Sequence, residues 1–161
     1  GGGTVHKLFV KNLITQSETT FPCPIVWDFA KDSEDNIYCA SWNLTDPNGG
    51  LFKYSNNKLT DITKQANIQS KSLWCLFFDK ETKQLWVGSV DKGIYRLDLS
   101  NKVKFFTPSY FGLKELQIQE LYNDVNNTTW IGAKDNIILL HKDLKYTTFE
   151  KEYLKKKLDK S

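Results

Sequence analysis

The sequence predicts an all-β chain built from repeated four-stranded units, and three observations carry that prediction. Aromatic residues make up 14% of the 161 residues and recur at matching places. Short runs rich in β-branched and aromatic residues alternate with Asp, Asn, Lys and Gly clusters, which is strand and turn chemistry rather than helix. Finally, three stretches match one another: Phe29 to Ser41, Phe77 to Ser89 and Leu121 to Ala133, each with nine steps from its first apolar residue to its aromatic, Tyr38, Trp86 or Trp130.

A further apolar segment follows each aromatic: Gly50 to Tyr54, Gly93 to Leu97 and Ile137 to Leu140. Tyr38 to Trp86 is 48 residues and Trp86 to Trp130 is 44, so one insertion of about five residues after Tyr38 reconciles the repeat. The second unit reads as strands Ser72 to Phe78, Gln84 to Ser89, Gly93 to Asp98 and Lys102 to Phe106. The small third position of the second strand, Ala40, Gly88 or Gly132, suits close approach of neighbouring backbones. Units of this length with four antiparallel strands are β-propeller blades, each burying its faces against its neighbours.

The expected organisation is a partial β-propeller over residues 1–149. It comprises a half blade at 2–14, blades at 22–62, 71–106 and 115–149, and an amphipathic helical tail or linker at 150–161. The half blade rests on the match of residues 2–14 to Gly49 to Ile62. In the tail, Phe149, Tyr153, Leu154 and Leu158 recur at helical spacing among Lys and Glu. Three and a half blades leave two open blade faces, so self-association, or the remaining blades of a parent propeller, is expected to cover them.

Charge narrows the partners. The chain carries 22 Lys and Arg against 19 acids, and residues 142–161 alone hold seven Lys and four acids, so the excess sits in the tail. The rest is balanced and contains a single arginine, Arg96, whereas phosphate and base recognition favour the arginine fork. Nucleic acid is not an expected partner. No apolar run is long enough to span a bilayer, so no direct membrane insertion is expected, and no signal peptide is evident. Cys23, Cys39 and Cys75 lack C-x-x-C spacing and lie far from His6 and His141, so no metal or other cofactor is expected. Their redox state stays open.

The segments Leu85-Trp-Val-Gly-Ser89, Lys92-Gly-Ile-Tyr-Arg-Leu-Asp98 and Thr129-Trp-Ile-Gly-Ala133 resemble the two-component regulator propeller repeat, over nearly all of residues 2–149. The first unit departs from it with Ile37-Tyr-Cys-Ala-Ser41 and its inserted loop. The resemblance implies the periplasmic or extracellular-facing sensor region of a hybrid two-component histidine kinase, responding to an oligosaccharide or other small polar ligand. No phospho-accepting His segment, ATP-binding glycine motif or receiver Asp constellation occurs in this chain. The alternatives are a secreted propeller scaffold that binds a protein partner and, further off, a propeller lyase or hydrolase.

Strand alternation sends the loop between strands two and three, and the connections between blades, to one face; the two hairpins of each blade lie on the other. The first face carries aromatics beside Asn and Asp, where flat rings stack on sugars and amides satisfy hydroxyls. The candidate ligand-binding residues are accordingly Trp42, Asn43, Asp46, Asn48, Tyr110 and Phe111. No catalytic set is expected: Asp28 and Glu120 fall on separate first strands, and both histidines align with third strands, away from the loop-bearing face.

Overall fold

In the computed structural model, residues 6–42, 48–98, 100 and 102–150 are described. Strands β1 (Lys7–Lys11) and β2 (Glu18–Pro22) form a hairpin. Three four-stranded antiparallel meanders follow, each running in chain order. The first holds β3 (Val26–Lys31), β4 (Ile37–Ser41), β5 (Gly50–Ser55) and β6 (Lys58–Asp61). The second holds β7 (Leu73–Asp79), β8 (Gln84–Ser89), β9 (Ile94–Asp98) and β10 (Val103–Phe106). The third holds β11 (Ile118–Asn123), β12 (Thr129–Ala133), β13 (Asn136–Leu140) and β14 (Tyr146–Glu150). A single 3-10 turn, Pro108–Phe111, interrupts the connection between the second and third sheets. Over the described residues the chain is all-β, and its second blade follows the expected strand limits to within one residue.

The turns explain why each sheet folds back where it does. Asp32 Oδ1 accepts the N–H groups of Glu34 and Asn36, and Asp124 Oδ1 accepts those of Asn126 and Thr128. Asp79 does the same for Glu81 and Thr82. A side-chain oxygen that satisfies the turn's amides makes Asp the preferred residue there. Each turn closes through a residue at positive φ: Asp35 at 63°, Lys83 at 54° and Asn127 at 58°.

The second turn is one residue longer than its fellows. Tyr38 pairs with Ala30 and Trp130 with Tyr122, but Trp86 pairs with Phe77. The true equivalents of Phe29 and Leu121 are therefore reached one residue earlier, at Leu76, and the gapless match of the three stretches is corrected by that extra turn residue.

Contacts of β7 with both β3 and β11 put the first strands of successive blades side by side, nearest a common axis. Each blade then presents a cross-strand row to the next. Ala30, Tyr38, Lys53 and Thr60 form one row; Phe77, Trp86, Arg96 and Lys104 the second; Tyr122, Trp130, Leu139 and Thr147 the third. Tyr38 and Trp86 are buried under the following blade, with Trp86 4% exposed, whereas Trp130 is 42% exposed. The same distinction holds at the small position. A Cβ on Gly88 would fall 2.5 Å from both Cys75 Sγ and Ile118 Cγ2, while one on Gly132 would meet nothing closer than 3.5 Å. Close approach is thus a property of the packed second blade and not of the third.

Two expectations change. Residues Leu13 and Ile14, read as the end of a half blade, are exposed in the turn between β1 and β2, where Asn12 Oδ1 accepts the N–H groups of Ile14 and Thr15. The hairpin consequently reaches Pro22 rather than stopping at residue 14. Of the expected helical tail, residues 151–161 lie outside the described residues, and residue 150 ends β14.

Candidate functional site: a three-tryptophan platform

The first strands of the blades each carry a β-bulge near their start, between Val26 and Asp28, Leu73 and Cys75, and Ile118 and Glu120. A bulge leaves its extra residue out of the ladder and re-aims that side chain. The residues so placed are Trp27, Trp74 and Gln119. Trp27 and Trp74 stack across the seam between the first two blades, with ring centroids 4.6 Å apart and planes 14° from parallel.

Trp42 completes the cluster. It follows β4, and its ring lies 5.4 Å from that of Trp74 and 6.0 Å from that of Trp27. The backbone fixes it there. Trp42 N–H donates to Ile25 O at 3.1 Å, Ser41 Oγ donates to the same carbonyl at 2.9 Å, and Trp27 Nε1 donates to Trp42 O at 2.7 Å. Trp27 remains 47% exposed, and Trp42 and Trp74 are half-buried. Beneath the stack, Asp28 Oδ2 accepts Leu76 N–H at 2.7 Å and ties the first blade to the second. Asp28 is therefore a partnered structural group. Glu120 Oε1 accepts the N–H of Leu121 at 3.2 Å on its own strand.

Of the residues expected at the site, Trp42 sits in this cluster. Asn48 is exposed, and Asn43 and Asp46 lie outside the described residues. Tyr110 and Phe111 are elsewhere. Phe111 is 3% exposed, packed on Phe106 and Tyr146, while Tyr110 lies edge-on to both Phe106 and Phe111 and donates from its hydroxyl to Leu144 O at 2.9 Å. The 3-10 turn uses these rings to plug the second blade against the outer strands of the third. Phe111 is corrected from a ligand contact to packing, because a ring buried under a neighbouring sheet has no face to offer, and half-buried Tyr110 is committed to the same seam by its ring contacts and its hydroxyl.

Trp27 and Trp74 were not singled out from sequence, though each stands directly before the acid or thiol that follows its bulge. The signal available is their shared place in the repeat, where the third unit has Gln119. Chemically the cluster is a partly exposed indole surface, a stacked pair with Trp42 tilted against it, without an acid–base pair. Among the described residues no group of three or more His, Cys, Asp or Glu could hold a metal ion. Burial, with Asp61 adding to it, pushes the Cys23 thiol up to about 11, and burial pushes Cys39 up to about 12 with Cys23 adding. The three free cysteines are thus neutral, buried thiols.

No protein-family profile and no curated relative matches the chain. Solved structures do match. The extracellular domain of BT4673 from B. thetaiotaomicron, described as a candidate hybrid two-component system, aligns with TM-score 0.68 and 18% identity over 92% of this chain and 20% of its own. The corresponding domain of BT3049 aligns with TM-score 0.66 and 18% identity over 88% of this chain and 20% of its own. PorZ of Porphyromonas gingivalis, a surface component of the type-IX secretion system, aligns with TM-score 0.62 and 10% identity, over 88% of this chain and 24% of its own.

Fold and comparisons together define a run of β-propeller blades. The chain spans about a fifth of the length of the structures it matches, and those of BT4673 and BT3049 are extracellular domains of candidate hybrid two-component systems. Among the described residues no helix is long and apolar enough to cross a membrane.

Proposed function

We propose that this chain belongs to the periplasmic or extracellular-facing, ligand-sensing region of a two-component regulatory sensor, and that it binds without catalysing a reaction. The observation that supports this most is the platform of Trp27, Trp42 and Trp74 on the loop-bearing face. Clustered indoles held by backbone hydrogen bonds offer rigid, partly exposed ring faces of the kind on which pyranose rings lie, and their loss of side-chain freedom on binding is small. An oligosaccharide is the ligand class that fits, with exposed Asn48 of the adjoining loop offering a polar partner.

Isothermal titration of the chain against a panel of glycans tests the reading. A binding glycan should lose about tenfold or more in affinity, about 1.4 kcal/mol, on Trp27→Ala and on Trp74→Ala. Undiminished binding in both variants removes the platform from the site. The likeness to PorZ favours a second reading, a secreted scaffold whose platform docks an apolar side chain of a protein partner. Binding of such a partner, lost on Trp27→Ala while every glycan fails, would select it.

A further inference from the structure

The opposite end of the blades carries a polar slot that the platform does not use. It lies between the second and third blades, with a volume of about 50 Å³, and Trp86, Arg96, Gln84, Asn123 and His141 are among its walls. A single water needs only about 10–15 Å³ by the same measure. Repeat comparison shows what is unusual there. In the first blade Tyr38 donates its hydroxyl to Asp32 Oδ2 at 3.1 Å, and in the third Trp130 donates Nε1 to Asp124 Oδ2 at 2.9 Å. The turn aspartate thus caps the ring donor twice. In the second blade the longer turn brings Thr82 Oγ1 onto Asp79 Oδ2 at 2.6 Å, and Trp86 Nε1, fully buried, is left with no hydrogen-bond partner.

A buried donor without a partner costs about 1–3 kcal/mol, so a group that can accept from it is favoured in the slot. The second unmatched group is Arg96. Its guanidinium carbon lies 5.3 Å from the Trp86 ring centroid and 5.7 Å from that of Phe106. None of the ion pairs among the described residues includes it. The neighbouring acids are already occupied. Asp79 holds its turn, Glu81 accepts from Asn127 Nδ2 at 2.7 Å and lies 4.0 Å from Lys142 Nζ, and Asp98 Oδ1 accepts from Ser100 and Lys102. Burial pulls the Arg96 pKa down from its ordinary value, as expected of a partly desolvated cation that lies over two rings without an ion-pair partner.

From this geometry we infer that the slot between the second and third blades binds a small carboxylate, paired with Arg96 and accepting from Trp86 Nε1. The planar guanidinium fork matches two carboxylate oxygens, and the slot's size suits one such group rather than a whole sugar.

The test follows the Trp86 indole N–H resonance in the full ¹⁵N-labelled chain, assigned through Trp86→Phe. Sodium acetate is titrated against sodium chloride at equal ionic strength. The expected result is a saturable shift with acetate and none with chloride, weakened at least tenfold in Arg96→Gln and unchanged in Trp42→Ala. Should Arg96→Gln fail to fold, Arg96→Lys keeps the charge but not the fork and is expected to weaken acetate binding to the same degree. A shift that does not saturate, that chloride reproduces, or that survives the folded Arg96 variant overturns the inference and leaves a trapped water as the partner of Trp86. Because Trp42→Ala spares this signal, failure here is distinguishable from failure of the platform.

Discussion

Trp86 and Trp130 are equivalent residues in different surroundings, and replacing each by Ala measures what a following blade contributes. A fully buried Trp covers up to about 250 Å². With exposures of 4% and 42%, Trp130 buries roughly 95 Å² less, about 2 kcal/mol at ~25 cal/mol/Å². Trp130 also gives its indole N–H to Asp124, a bond that Trp86 lacks, which returns about 0.5–1.5 kcal/mol to its side. Trp86→Ala should therefore destabilise by about 3–5 kcal/mol, as for other emptied aromatic core sites, and Trp130→Ala by about 1–2 kcal/mol less. Urea unfolding at micromolar protein or below, with equal m values checked, gives both numbers. If a second copy covers the open row, the Trp130→Ala cost should grow with protein concentration. Equal losses at the lowest concentration would falsify the claim that the third blade's row is open.

Four other outcomes are expected. Far-ultraviolet circular dichroism should be dominated by strand; a helical spectrum contradicts the fold. Burial raises the folded-state values of Cys23 to about 11 and Cys39 to about 12, so their contribution to stability is complete below the unfolded thiol range near 8.5 and is lost as pH climbs through the folded values. A thermal midpoint that rises between pH 9 and 11, or rapid alkylation of the native thiols at pH 7, goes against this. Sedimentation should show self-association through the open blade faces, and a strictly monomeric chain at high concentration counts against it. Incubation with labelled ATP and with glycans should give no product, while reproducible turnover by the purified chain overturns the binding-only reading.

The blades were legible because their spacing repeats and because Asp turns punctuate them; β8 follows the expected Gln84–Ser89 to the residue. The half blade was misplaced because Leu13 and Ile14 have strand-like apolarity in a turn that Asn12 holds. Trp27 and Trp74 were missed because a bulge shifts the alternation that sequence reading depends on, and nothing in residue spacing announces a bulge. Tyr110 and Phe111 misled for another reason. Loop aromatics that bind and loop aromatics that plug a seam have the same composition, and only the position of the neighbouring blade separates them. The longer second turn was hidden by a coincidence, since Phe29, Phe77 and Leu121 are all apolar and allow a gapless match one residue out of step.

The stacked pair at the first seam also gives the molecule an optical property. Two indoles 4.6 Å apart and nearly parallel couple their excited states, and the resulting couplet in circular dichroism depends steeply on separation and twist. Because Trp27 is carried by β3 and Trp74 by β7, that signal belongs to neither blade alone. It works as an unlabelled ruler across the seam: a molecule that slides over the rings or alters the angle between the two sheets will change the couplet's amplitude, while events away from the three rings will leave it alone.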